Sequence, residues 1–179
     1  MGSSDELRLA VRQERAGDQR AIGHVHRAAF SGHPVPEFVD AIRESENFVA
    51  RYSRVCEHDG AVIGHVQLSY VNVDDAERKH RVLCLTPLGV LPEYQRRGVG
   101  KMLVEDVLRR ADDAGEPLVI LEGIPQYYPQ FGFVPATTLG IQFPAHVPEA
   151  AAQAKPLADY RADVRGAVRY PAAYRIVGE

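Results

Sequence analysis

A chain of 179 residues, 45% apolar and 25% charged, carries enough apolar material for one buried core and too little length for two independent domains. A formal net charge of -3 argues against a surface built to coat nucleic acid. No apolar run approaches the length of about 18 residues that a membrane-crossing helix needs, and the N-terminal MGSSDELRLAVRQER is polar where a secretory leader is apolar.

The first predicted strand is Leu7 to Val11. Asp18 then stands where an N-cap belongs, and Ile22, Val25, Ala29 and Phe30 follow at helical spacing. A second helix is expected from Pro36, with Phe38, Val39 and Ile42 on one face. Two β-rich runs, FVARYSRVCEH and AVIGHVQLSYV, flank Asp59-Gly60 and predict a hairpin. The polar stretch Val71 to His80 reads as a loop, and RVLCLTPLGV as a buried fourth strand. A helix follows with Val99, Leu103, Val107 and Ala111 at intervals of four, closed by Gly115. PLVILEG is a fifth strand, and PQYYPQFGF a short helix or turn leading into another. The alanine- and proline-rich FPAHVPEAAAQAKPLADYR reads as loop, short helix or both, and GAVRYPAAYRIV as a last strand with a tail. This order predicts one α/β domain, a mixed sheet covered by helices. Cys56 and Cys84 each fall in a strand-like run and read as buried thiols, which places the protein in the cytoplasm.

Between the fourth strand and its helix stands Gln95-Arg96-Arg97-Gly98-Val99-Gly100-Lys101. A helix start offers about four unpaired amides and a positive dipole end. Gly98 and Gly100 let an anion approach those amides closely, and Gln95, Arg96, Arg97 and Lys101 add donors and charge. Two other phosphate loops fail on named residues. A Walker-type loop would need a hydroxyl after its lysine, where Met102 stands. A dinucleotide fingerprint would need glycine or alanine at Leu103. The histidines form no ligand pair of known spacing, and His24 and His26 fall on different helix faces, so no metal is expected.

LGVLPEYQRRGVGKMLVEDVL resembles the acetyl-coenzyme A loop of the GCN5-related N-acetyltransferases, whose pattern Q/R-x-x-G-x-G/A is met from Gln95 to Gly100. YYPQFGFVPA resembles the family's FY-x-x-x-GF segment, and GAVRYPAAY is similar to the tail of a bacterial YhbS-like subgroup. The likeness covers about residues 7–136 well and the extension 137–179 loosely.

The resemblance implies a mixed, mostly antiparallel sheet with a V-shaped splay between strands 4 and 5. It implies direct transfer of an acetyl group from acetyl-CoA to an amine. The pyrophosphate would lie on Arg96 to Lys101, and the pantetheine arm along the backbone of Leu88 and Val90. Gly89 fits a bulge that parts the strands, and Pro87 a break in pairing. The Val90 amide is a candidate for stabilising the thioester oxyanion. Tyr128, four residues before Gly132, is the candidate acid for the departing thiolate, with Tyr127 the alternative register. Phe131 and Phe133 read as core. The fourth strand, taken as Arg81 to Val90, holds no Glu or His. Glu122 is therefore the best-placed carboxylate for a base, ahead of Glu57, His65 and His33, and a water chain would also serve. His33, Pro34, Tyr160, Tyr170 and Tyr174 are candidates to line the acceptor cleft. The acceptor would be a small-molecule or peptide amine, with no nucleic acid or membrane partner. Homodimers are common in the family, and no patch in the sequence decides the point. A non-catalytic acyl-CoA-binding module is the alternative reading.

Overall fold

Asp59 and Gly60 both take positive φ, 48° and 80°, in the two-residue turn whose twist suits a hairpin. In the computed structural model, which describes residues 7–178, this turn joins β2 (Phe48–His58) to β3 (Ala61–Asp74) in antiparallel pairing. The N-terminal residues 1–6, part of the stretch tested above for a leader, lie outside the described residues. β1 (Leu9–Gln13) lies on the other side of β2, and β4 (Lys79–Val90) on the other side of β3, both antiparallel. β5 (Leu118–Glu122) runs parallel to β4. β8 (Ala152–Pro156) then pairs antiparallel with β5, and β6 (Val134–Pro135) with β8. β9 (Gly166–Arg169) pairs with the far end of β3 and with β7 (Ile141–Gln142). The sheet is mixed and mostly antiparallel, as the sequence leads one to expect.

Strand alternation divides the core between two faces. Leu83 and Leu85 of β4 pack with Leu103, Val104 and Val107 of α3 (Val99–Asp113). Val82 and Cys84 pack with Phe38, Val39 and Ile42 of α2 (Val35–Arg43) and with Ile22 of α1 (Gln19–Ala29). Each fully buried Leu, Ile or Phe here contributes about 1.5–3 kcal/mol relative to exposure. A buried ion pair, Arg54 Nε to Asp106 at 2.7 Å, ties β2 to α3. Asp106 also accepts from Arg109 and Arg110.

Three elements differ from the sequence reading. Val71 to His80 is not a loop: β3 continues to Asp74 and β4 begins at Lys79. Val71 and Val73 point inward while Asn72 is exposed. The turn shrinks to 75–78, where the Asp75 carboxylate accepts from the amides of Glu77 and Arg78 at 2.8 and 2.7 Å. The alanine-rich stretch contains β8, a strand formed by pairing on both its edges rather than by propensity. Asp18 precedes α1, but its carboxylate makes no cap. It accepts instead from the Arg12 guanidinium at 2.7 Å and the Arg15 amide at 2.7 Å, and Arg12 above all holds its pKa down.

Candidate active site

β4 and β5 pair only at Leu83↔Val119 and Cys84↔Ile120. Beyond Cys84, β4 continues to Val90 paired with β3, so a gap opens between β4 and β5. The register passes from Leu68↔Leu85 to Val66↔Leu88, which sets Thr86 and Pro87 opposite Gln67 alone. The bulge therefore lies at Thr86-Pro87, joined by a cis peptide bond, and not at Gly89. Gly89 stays in register with His65. Its lack of a side chain answers another need: a Cβ there would come 2.7 Å from His26 Nδ1. Leu91 donates its N–H to Ile63 O at 2.9 Å. Alternation along the strand then turns the peptide groups of Leu88 and Val90 away from β3 and toward the gap.

After Leu91 the chain makes a 3-10 turn, Pro92–Tyr94, and reaches α3 through two positive-φ residues, Arg96 (58°) and Gly98 (87°). The Gln95 side-chain amide donates to Val90 O at 3.0 Å and braces the strand end against the loop. No side chain caps α3, and its first turn holds no acidic residue, so its dipole end is left for an anion. The two glycines serve different ends. Gly98 takes a left-handed backbone in open space. A Cβ on Gly100 would come 3.0 Å from Tyr127 Oη.

Tyr128 opens a 3-10 turn, Tyr128–Phe131, whose C-cap is Gly132 at φ 88°. Its ring packs edge-on to Phe133 and lies over Gly123, where a Cβ would meet it at 2.4 Å. Burial raises the Tyr128 phenol well above its ordinary range, and burial likewise raises Tyr127. Tyr128 thus sits at the end of β5, while Tyr127 sits beside the start of α3. Phe131 and Phe133 belong to the core. At the end of β5 the Glu122 carboxylate accepts from Tyr170 Oη at 2.5 Å. Tyr170 stacks on Tyr174 with ring centroids 4.7 Å apart, and Tyr174 meets Phe38 edge-on at 4.9 Å. The Tyr174 hydroxyl shares a hydrogen bond with Ser69 Oγ at 3.0 Å.

These elements enclose a cavity of about 850 Å³. Leu88, Val90, Gln95, Arg96, Gly98, Gly100, Lys101, Glu122, Tyr127 and Tyr128 all line it. Gly89, Arg97 and Val99 are not among its lining residues, and Val99 is buried under the sheet. Of the candidate cleft residues Tyr170 and Tyr174 line it, whereas Tyr160 does not. Glu57 pairs with Arg12, His65 lies buried inside β3, and His33 lines a separate shallow hollow with Pro34 and Arg175. None of these three reaches the main cavity. The sequence reading missed Phe30 and Phe38 as walls; their helical spacing marked them only as core. Among the described residues no three His, Cys, Asp or Glu side chains gather as metal ligands.

The model of the acetyltransferase (GNAT) family matches residues 20–133. The uncharacterised N-acetyltransferase YjhQ of Escherichia coli K12 is 29% identical over 133 residues, 74% of each chain. Among solved structures, the GNAT family N-acetyltransferase YhbS of Escherichia coli, in complex with CoA, superposes with a TM-score of 0.86 at 27% identity. That match covers 98% of this chain and 96% of the other. A GNAT family acetyltransferase of Brucella melitensis, in complex with acetyl-CoA, gives 0.75 at 29% identity over 93% and 97% of the two chains. With the family model spanning more than half of the sequence, the gap, loop and cavity belong to a member of the GNAT family of acetyltransferases.

Proposed function

We propose that this acyltransferase uses acetyl-CoA as cosubstrate and transfers its acetyl group directly to a primary amine. The observation that carries the reading is the gap beyond Cys84, lined by outward-turned peptide groups and leading from the uncapped start of α3. The CoA-bound relatives support the choice of cosubstrate.

Each part of the site has a role in this reaction. The amides at the start of α3, with Arg96 and Lys101, hold the pyrophosphate. The peptide groups of Leu88 and Val90 take the pantetheine arm as a neighbouring strand would. The Val90 N–H receives the charge that develops on the thioester oxygen as the amine nitrogen attacks the carbonyl carbon. When the carbon–sulfur bond breaks, the Tyr128 hydroxyl protonates the leaving thiolate. A lysine-like amine has a pKa near 10.4, so a proton must leave it before attack. Glu122 is the carboxylate placed to accept that proton. The buried thiols Cys56 and Cys84, joined in no disulfide, fit a cytoplasmic setting, and no described helix is long and apolar enough to cross a membrane.

Calorimetric titration with acetyl-CoA, with NADH and ATP as controls, tests the reading. Selective binding near micromolar, about 8 kcal/mol, is expected, followed by thiol release when an amine panel is added. Folded protein that binds no acetyl-CoA would overturn it.

A further inference from the structure

We infer that the acceptor is a small amine with an apolar, preferably aromatic body, bound as its cation by Glu122. The inference rests on the acetyl-transfer reading above and narrows it to a substrate class.

Charge is segregated along the cavity. Its charged lining residues are Arg96 and Lys101 at the start of α3, and Glu122 at the end of β5. The cations suit the phosphates of the cosubstrate, which leaves a carboxylate facing the other half. An acceptor bearing its own carboxylate would meet repulsion at Glu122. A protonated amine gains a charge-assisted hydrogen bond there instead.

The rest of that half is apolar in effect. Tyr170 and Tyr174 line it, yet their hydroxyls are already engaged, by Glu122 and Ser69 respectively. Phe30 and Phe38 complete the wall. A polyamine or an amino sugar would need several polar partners, whereas the lining away from the loop is chiefly apolar or aromatic, with Thr86 and Glu122 among its few polar side chains. Aromatic surfaces also attract an ammonium through their faces. Size sets the remaining limit. A cavity of about 850 Å³ lies within the range of about 300–1,000 Å³ that holds one drug-sized ligand. It must take the pantetheine arm as well, so the acceptor is small.

The test compares 2-phenylethylamine with spermidine, L-glutamate and a lysine-containing peptide as acceptors for acetyl-CoA. It adds 2-phenylethanol as a neutral competitor. The expected result is a kcat/KM for phenylethylamine at least tenfold above the other three, with weaker binding of the alcohol than of the amine. Glu122→Gln should raise the KM for phenylethylamine at least tenfold while the acetyl-CoA Kd stays within twofold. Tyr170→Phe, which keeps the carboxylate, should raise that KM less. Preference for spermidine, glutamate or the peptide, with acetyl-CoA binding intact, would overturn the substrate class and leave acetyl transfer standing. Equal binding of alcohol and amine would overturn the role of Glu122. Absence of acetyl-CoA binding would overturn the acetyl-transfer reading, and this inference with it.

Discussion

The ring of His26 fills the space that a β-carbon on Gly89 would need, its Nδ1 lying 2.7 Å from that position. The ring cannot step aside. It stacks on Phe30, and its Nε2 lies 2.8 Å from His65 Nδ1. Gly89→Ala should therefore destabilise the fold by about 1–3 kcal/mol, the usual cost of overpacking. Urea unfolding of the variant beside the parent measures this; a loss below 0.5 kcal/mol, about the noise of a surface substitution, would show that the strand or the helix yields freely.

The same histidine pair makes stability depend on pH. Ser53 Oγ donates to Glu14, so it accepts from His65 Nε2, which lies 2.8 Å away. His65 Nδ1 is then a lone pair receiving the His26 Nε2 proton, and both rings are neutral. Burial lowers the His26 pKa to about 3 and takes His65 well below its ordinary value. An unfolded histidine titrates near 6.5. Below that pH the unfolded chain binds protons that the fold refuses, so stability is complete above about 6.5 and falls as pH drops toward about 3. The slope is at most about 1.4 kcal/mol per pH unit for each histidine. Unfolding free energies at pH 7.5, 6 and 5 check this above the range where carboxylates titrate; a flat profile would mean that the folded pair takes up protons as readily as the unfolded chain.

Removing Asp106 should be strongly destabilising. Arg54 lies buried against it at 2.7 Å, and burial lowers the guanidinium's pKa even with that carboxylate present. Asp106→Ala leaves a buried cation without its counter-charge, a loss of about 3–5 kcal/mol. Thermal and denaturant unfolding provide the measurement. A loss under 1 kcal/mol would mean that Arg54 can turn out to water.

At the loop, Gly100→Val should raise the acetyl-CoA Kd at least tenfold, about 1.4 kcal/mol. The new side chain would crowd Tyr127 Oη and shield the first-turn amides. Calorimetry reads the affinity, and an unchanged Kd would take those amides out of cosubstrate binding.

Tyr128→Phe should leave acetyl-CoA affinity intact and slow transfer on the order of 10²-fold or more, the usual contribution of a positioned proton donor. Because burial raises this phenol's pKa, the parent enzyme should show no loss of its acid through the neutral range. Undiminished transfer in the variant would assign the proton to another path.

Local signals were legible in the sequence, and contacts between distant segments were not. The Asp59-Gly60 hairpin, α3 with its spacing of four, and the loop from Gln95 to Lys101 all follow from neighbouring residues. Asp18 was misread because a carboxylate suited to a cap was taken by Arg12 from β1. Charge density concealed the ends of β3 and β4, although the alternation of Val71, Asn72 and Val73 marked them. The bulge falls at Pro87 and not at Gly89 because Gly89 answers to His26 on another element. The two histidine faces of α1 were correctly separated, with His24 exposed and His26 buried. What could not be read was that His26 and His65, 39 residues apart, would share a proton.

Tyr170 and Tyr174 stand well after β4, α3 and Tyr128 in the chain, yet they wall the same cavity. Synthesis proceeds from the N-terminal side, so the half suited to the cosubstrate emerges from the ribosome before the half facing Glu122 is complete. Phe30 and Phe38, which precede β4 in the chain, complete that second half. Changes at Tyr170 and Tyr174 could alter which acceptor is admitted without touching a residue of the loop. Drift in substrate choice between descendants of one ancestor should accordingly spare the loop between β4 and α3.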